Sequence, residues 1–332
     1  VGLAHQADLM VIAPATATTL AKLARGLADN LLSVTALACG TGPGAVPMII
    51  APAMDAGMYA HAATQENIRI LESRGVHFIG PEEGHLASGL VAKGRLSEPA
   101  DIRGFIRYRL SRRGPLAGKK MVVTAGGTQE DLDPVRFITN RSSGKQGYAL
   151  AQAGIDAGAE VTLITAPTHL QTPIGVHTVA VRTASQMAAA VREACSRADI
   201  LIMAAAVSDF RPTRVEAQKI KKRGVPRALH LEPTPDILKE VQAARKVQAQ
   251  PGYVIGFAAE TEDLLGNARG KLEAKGLDLM VANDVSAEGA GFEVDTNRVA
   301  LLSADGSQVQ LPLLSKYEVA VRVIEEVIHF FT

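Results

Sequence analysis

The sequence predicts an α/β protein of two domains, each a mostly parallel sheet flanked by helices. Short apolar runs alternate with amphipathic stretches, the pattern of parallel strands and crossover helices. A length of 332 residues exceeds what one core commonly organises. A basic, Gly/Pro-punctuated stretch, Ser111-Arg112-Arg113-Gly114-Pro115, splits the alternation into domains at 1–113 and 114–332.

In the first domain, the apolar run 8–13 reads as a strand buried on both faces and stopped by Pro14. It leads directly in from the first residues, as if the chain began in mid-domain. Residues 16–30 have helical spacing, with Leu20, Leu23, Ala24 and Leu27 on one face. A second buried strand covers 46–51, stopped by Pro52. A helix over 63–75 closes on Gly75, a strand covers 76–79, and a helix covers 102–110.

In the second domain, strands are predicted at 120–124, 160–165, 199–204, 253–257 and 277–282. Helices fall between them at about 143–158, 184–197, 235–244 and 261–276, with a long loop before the first and a polar, basic loop over 208–232. Asp305-Gly306 joins 298–302 and 308–311 as a hairpin, and an amphipathic helix over 317–331 ends the domain.

Composition narrows the function. Hydrophobic residues are 47 % and charged residues 21 %, an ordinary globular balance. A net charge of +1, with 4 % aromatics and no Trp, disfavours nucleic acid and anionic membranes as partners. No apolar run is long enough to span a bilayer, and no signal peptide opens the chain. Cys39 and Cys195 lie far apart, which is neither a disulfide framework nor a zinc pattern and points to a reducing cytoplasm. No His/Asp cluster marks metal ligands.

Several segments can carry chemistry. Thr124-Ala125-Gly126-Gly127-Thr128 ends a strand where backbone can approach a ligand closely. Asp133-Pro134-Val135-Arg136 and Asn140-Arg141-Ser142-Ser143-Gly144-Lys145-Gln146-Gly147 follow, with Ser142, Ser143 and Gly144 at a helix start suited to phosphate. The bland alternative is a plain Ser cap. Ala204-Ala205-Ala206-Val207-Ser208-Asp209 ends another strand, where small residues expose backbone to a base and Asp209 can accept from an amine or simply cap a turn. Lys219-Ile220-Lys221-Lys222-Arg223 is either a solvated basic run or a source of cations for developing phosphate charge. Lys271 and Lys275, spaced i,i+4, share a helix face. Phe257, at a strand end in Phe257-Ala258-Ala259-Glu260-Thr261, either stacks on a base or caps the core, and Ala282-Asn283-Asp284-Val285 closes the next strand.

In this order, together with Pro235-Asp236-Ile237, these segments resemble phosphopantothenate–cysteine ligase, from about Leu116 to Thr332. The resemblance implies a Rossmann-like fold and a two-step reaction in coenzyme A biosynthesis. CTP activates the carboxylate of 4′-phosphopantothenate as an acyl-cytidylate, and the cysteine amine displaces CMP. It further implies that Asn140 holds the acyl intermediate and that Lys219 neutralises the α-phosphate. Asp209 and the Ala204, Ala205 and Ala206 backbone would read cytosine. Pro235, Asp236, Ile237, Leu238 and Phe257 would line the nucleotide site, Lys271 and Lys275 would meet the triphosphate, and Mg²⁺ would bridge phosphate oxygens.

Residues 1–113 resemble the FMN-dependent phosphopantothenoylcysteine decarboxylase, a flavodoxin-like domain, through the segments 13–18, 26–31 and 51–59. This implies flavin contacts at Ala15, Thr16 and Thr18 and substrate contacts near Asp55, Met58 and Ser88. Three departures predict a poor decarboxylase: the active-site His and early flavin-site strands lie ahead of Val1, Asp55 stands for an Asn, and Ser88 for a Cys. The partners implied are small molecules and further copies of the chain. Two rivals stay open, an NAD(P)-dependent reductase, against which the missing GxGxxG argues, and a non-catalytic oligomerisation module.

Overall fold

The computed structural model describes residues 1–42, 44–221, 228–260, 263–284 and 294–332. Lys222, Arg223, Thr261 and Val285 lie outside them. The chain divides into two compact units, Val1–Leu110 and Ser111–Thr332.

The first unit holds a parallel sheet in the order Met10–Ala15, Met48–Pro52, His77–Phe78. Met48–Pro52 is buried throughout, as expected of a middle strand. Met10–Ala15 is not buried on both faces, because it lies at the sheet edge, where Ala13 and Pro14 are exposed. The first strand runs one residue past Pro14, which an edge strand permits, and the second ends on Pro52. A five-residue helix, Gly2–Gln6, precedes the first strand.

The expected helix over 16–30 is shorter, and a second helix follows it. Ala17–Arg25 is capped by Thr16, whose hydroxyl accepts from Thr19 N at 3.3 Å, and ends at Gly26 in the left-handed conformation. Leu31–Ala38 then starts at an Asn30–Ser33 capping box. Its residues are apolar on all sides, so they carry no amphipathic period by which to find them. A hairpin, Glu82–His85 with Val91–Arg95, and the helix Pro99–Ser111 complete the region.

The second unit is built on eight strands in the order His177–Ala180, Glu160–Thr165, Lys120–Ala125, Ile200–Met203, Tyr253–Glu260, Leu279–Asp284, Val299–Ser303, Gln308–Gln310. The first six are parallel and the last two antiparallel. Ile200–Met203 is buried at every position, since helices cover both faces. Met187, Val191, Val241 and Leu272, from helices Ala184–Cys195, Ile237–Gln248 and Leu264–Lys275, pack on Val122, Leu201 and Val254. The opposite face carries Lys145–Asp156, packed against Lys316–Phe331.

This order matters for function. From Lys120–Ala125 the chain winds one way through two strands, then returns to place Ile200–Met203 on the other side. The carboxyl ends of those two neighbours form the topological switch point, where open α/β sheets leave a crevice.

Candidate active site

The two loops at the switch point are stitched together by backbone. Ala206 N donates to Gly126 O at 2.8 Å and Thr128 N to Ala206 O at 3.3 Å. The buried Thr128 hydroxyl accepts from Ser208 N at 2.9 Å, and Thr124 Oγ1 accepts from Ala205 N at 3.1 Å. The small residues at 204–206 allow this approach and leave their remaining polar atoms at the crevice.

Lys145–Asp156 begins on the same crevice. A Cβ on Gly147 would lie 2.5 Å from Ala125 Cβ, so only glycine lets this first turn press onto the strand end. The cap residue is Gly144, left-handed at φ +77°, and no side chain caps the helix. The plain Ser cap is reduced to long contacts, Ser143 Oγ accepting from Lys145 N at 3.5 Å and Ser142 Oγ from Gly144 N at 3.4 Å. A helix start whose cap residue is glycine brings backbone N–H groups to the crevice, the feature that suits an anion.

A cavity of about 370 Å³ occupies the crevice. Of the residues singled out in the sequence, Asn140, Ser142, Ser143, Gly144, Ala204, Ala205, Ala206, Asp209, Phe257 and Lys271 all line it. Asn140 is held by its amide, Nδ2 donating to Val207 O at 3.0 Å. Gln146, Asn283, Asn297 and Lys316 also line the cavity. Gln146 and Asn283 fall inside segments singled out in the sequence but were given no role there, and Asn297 and Lys316 were not found, because single residues at helix starts and strand ends form no motif.

Other expected site residues lie elsewhere. Lys271 and Lys275 do not act as a pair on the cavity: Lys275 is ion-paired with Asp236, 39 positions away in sequence, and only Lys271 lines the wall. Burial alone would raise the Asp236 carboxyl, but Lys275, Lys239 N and Lys239 hold it below its usual value. Asp236 caps helix Ile237–Gln248, accepting from Lys239 N at 3.3 Å. Ile237 is buried in the core and Leu238 packs against it, so neither side chain faces the cavity. Pro235 sits next to the segment that does, since Thr234 N donates to Asp209 O at 2.9 Å.

Lys219 is exposed and does not line the cavity. Its loop is anchored by the Asp133–Arg136 turn, a role the sequence did not reveal. Asp133 is buried; its Oδ1 accepts from Val135 N and Arg136 N, each at 2.9 Å, and its Oδ2 from Arg136 Nε and Ile220 N, each at 3.0 Å. Arg136 Nη2 also donates to Ile220 O at 2.8 Å. The guanidinium and these amides hold the Asp133 carboxyl far below the usual carboxylate range.

In the first unit, Ser88 Oγ donates to Asp55 Oδ2 at 2.6 Å, and Gly57 N donates to Oδ1 at 3.0 Å. Ser88, then Gly57, keep the Asp55 carboxyl below its usual value, so it is an anion at neutral pH. Met58 is exposed nearby in the helix Ala56–Ala60. The pair ties the hairpin tip to this helix, and a lowered carboxylate gives a stabilising contact that is lost as pH falls through its folded value. Amide exchange at the tip, corrected for intrinsic rates, should therefore speed up below about pH 4, and Asp55→Ala should show the fast exchange already at neutral pH. Unchanged exchange in that variant would remove the clamp. Thr16 and Thr18 are exposed at the start of helix Ala17–Arg25, whereas Ala15 is fully buried.

No group of three or more His, Cys, Asp or Glu that could hold a metal occurs among the described residues, and no described helix is long and apolar enough to cross a membrane.

Comparison with known proteins agrees with this architecture. Residues 116–331 match the family described as DNA/pantothenate metabolism flavoprotein C-terminal domain, and residues 1–111 match the family described as Flavoprotein. The Coenzyme A biosynthesis bifunctional protein CoaBC of Bacillus subtilis (strain 168) is 46 % identical over 327 residues, covering 98 % of this chain and 78 % of that one. A protein from an unknown prokaryotic organism, named Cysteine/Cysteine sulfinic acid decarboxylase, is 42 % identical over 326 residues, 97 % of this chain and 89 % of that one. Among solved structures, the C-terminal domain of a Coenzyme A biosynthesis bifunctional protein CoaBC superposes with a TM-score of 0.56 at 38 % identity, covering 66 % of this chain and 98 % of that one. The sheet order is shared with dinucleotide-binding proteins and by itself does not choose between a ligase and a reductase; the family does. The chain belongs to the family of bifunctional coenzyme A biosynthesis proteins, a flavoprotein part followed by the C-terminal domain of that family.

Proposed function

We propose that the Ser111–Thr332 unit uses CTP to join 4′-phosphopantothenate to cysteine. The observation that carries this is the single cavity at the switch point. A helix start capped by glycine, the Asn140 amide, the Ala204–Ala206 backbone and Lys271 surround one space there.

The chemistry needs such a convergence. A carboxylate resists attack because its charge repels a nucleophile and oxide is a poor leaving group. In the first step a carboxylate oxygen attacks the α-phosphorus, the bond from that phosphorus to the bridging oxygen breaks, and pyrophosphate leaves with the electron pair. In the second, the neutral cysteine amine attacks the acyl carbon, CMP leaves, and the amine proton passes to solvent. Amides at the helix start and the Lys271 ammonium stabilise phosphate charge. Asn140, fixed by Val207, has its other N–H and its oxygen for the acyl intermediate. Asp209 and the 204–206 backbone read the cytosine edge, Phe257 packs on the base, and Pro235 and Asp236 back the segment that does so. Lys219, which does not line the cavity in the free chain, is the cation proposed to reach the α-phosphate from its anchored loop.

Asp209 is the one carboxylate among the described lining residues. That donor set does not suit a resident cation, but it does suit Mg²⁺ arriving on the nucleotide with phosphate and water ligands.

For the flavoprotein part the cofactor proposed is FMN. Thr16 and Thr18 offer one phosphate anchor at a helix start, but Thr16 Oγ1 already caps Thr19 N, and Ala15 presents no exposed atoms. The two cavities described in this unit are lined by other residues. The fit is incomplete. Exposed Leu27, Leu31 and Leu37 give this part an apolar surface suited to a homo-oligomer, and a cytoplasmic setting accords with the two free cysteines.

The test is pyrophosphate release from protein, Mg²⁺, phosphopantothenate and cysteine with CTP or ATP. Release with CTP is expected. No release with either ends the ligase proposal, and release with ATP alone refutes the cytosine assignment. Lys219→Gln should lower turnover by about a hundredfold or more or stall with acyl-cytidylate accumulated; turnover within about threefold would take Lys219 out of the chemistry.

A further inference from the structure

The last parallel strand of the second unit brings one more side chain to the cavity. Asn283 stands at the carboxyl end of Leu279–Asp284, in register with Ala259 on one side and Val299 on the other. Met280 and Ala282 turn into the core that holds Leu272, so Asn283 turns to the opposite face, where Lys145–Asp156 and Lys316–Phe331 start. It lines the cavity and is 9 % exposed. Two strand spacings, roughly 10 Å, separate it from Ala204 across the sheet.

Its carbonyl is unsatisfied. Asn283 Oδ1 is buried and has no hydrogen-bond partner among the described residues, a cost that a molecule bearing an N–H or O–H removes. The neighbouring amides are engaged: Asn297 Nδ2 donates to Gln146 Oε1 at 3.1 Å, and Gln146 Nε2 to Lys316 O at 3.1 Å. An acceptor selects among the groups that the reaction brings. Polyphosphate and carboxylate offer it no proton at neutral pH, and the cytosine amine is assigned to the Ala204–Asp209 end. Hydroxyls of ribose and pantothenate need no aiming. The cysteine amine does, because its lone pair must meet the acyl carbon. Lys145 and Lys316 line the cavity at the same helix starts, and their positive charge suits the carboxylate that an α-amino acid carries beside its amine.

We propose that Asn283 Oδ1 accepts an N–H of the cysteine amine and aims that amine at the activated acyl carbon. The inference rests on the ligase reading and adds to it the seat of the second substrate. A carboxylate at this position would hold the amine as an ammonium, which has no lone pair for attack. A neutral amide accepts the same N–H without favouring the charged form. The nitrogen bonds to the acyl carbon, the bond from that carbon to the CMP oxygen breaks with its electron pair, and the surplus amine proton passes to solvent.

The experiment separates the two half-reactions on the full chain. A burst of pyrophosphate from CTP and phosphopantothenate without cysteine reports activation, and product formation on adding cysteine reports amine attack. Asn283→Leu, close in volume but unable to accept, should lower kcat/KM for cysteine about tenfold to a hundredfold. Its pyrophosphate burst should stay within about threefold of wild type. Asn283→Asp keeps an acceptor and should bind cysteine at least as tightly, but its charge holds the ammonium, moving the rise of the attack rate to higher pH by about one unit. A purely structural role would slow both half-reactions together and leave that pH profile in place. A Leu variant that keeps its cysteine kcat/KM, or whose loss falls on CTP or phosphopantothenate, overturns the proposal while wild-type pyrophosphate release leaves the ligase reading standing. If the Leu variant does not fold, the Asp variant decides, and an unmoved pH profile overturns the proposal. A wild-type chain that releases no pyrophosphate sinks both.

Discussion

Asn140→Asp should cost the ligase at least about a hundredfold in kcat, the scale of losing one preorganised donor to a reacting acyl group. The native amide donates to Val207 O at 3.0 Å, which sets its orientation in the cavity wall. Aspartate loses that donor, turns an anion towards a carbonyl oxygen, and adds negative charge to a space that must take a carboxylate and a polyphosphate together. Asn140→Ala loses the donor without adding charge and should lose less nucleotide affinity than the aspartate variant. Steady-state kinetics with thermal melting separates site from fold: melting should move by no more than a few degrees. Turnover within about threefold of wild type for both variants would remove Asn140 from the reacting centre.

Asp133→Ala should be nearly as damaging, although Asp133 does not line the cavity. One buried carboxylate gathers three backbone N–H groups and the Arg136 guanidinium, and two of these partners, Ile220 N and Arg136, fix the loop that carries Lys219. Without it those donors are left unpaired and the loop loses its anchor. A misplaced catalytic cation of this kind costs on the order of a hundredfold. Asp133→Asn keeps two acceptor positions at most and should fall between. The sign of the pH effect follows from the lowered carboxyl: the staple contributes fully above the unfolded carboxylate value and fails only as pH falls through its much lower folded one. Ligase activity should therefore show no loss from this turn between about pH 4 and 8. Retained activity in Asp133→Ala would make the turn a purely local feature.

Much of the second unit was legible because each strand is a short apolar run bounded by a clear helix signal. Glu160–Thr165 is bounded by Gly158 and Ala166, and Ser315 with Glu318 caps the last helix. Edge elements were not legible. His177–Ala180 and Phe137–Thr139 are short and largely exposed, and Gln129–Asp131 is a short polar strand, so they carry little hydrophobic period. A helix start at Ser142-Ser143-Gly144 could be read, since it depends on local chain geometry. The fate of Lys275 could not, because i,i+4 spacing says which face a lysine shares but not that Asp236 awaits it there. Asp133-Pro134-Val135-Arg136 could be singled out as a segment, but its task as the clamp of a distant loop exists only in three dimensions. Lys316 was invisible for the same reason. On a helical wheel it is one charge at the edge of an amphipathic helix, and only the fold brings it opposite Lys145.

The most direct measurement is a structure of the full chain with CTP bound. Triphosphate lying on the backbone amides of Ser143 to Gly147, with the base at Ala204–Asp209 and Asn140 and Lys271 both in contact, is the arrangement expected. Nucleotide seated anywhere other than this switch-point cavity, in a chain that still turns over, would contradict the account.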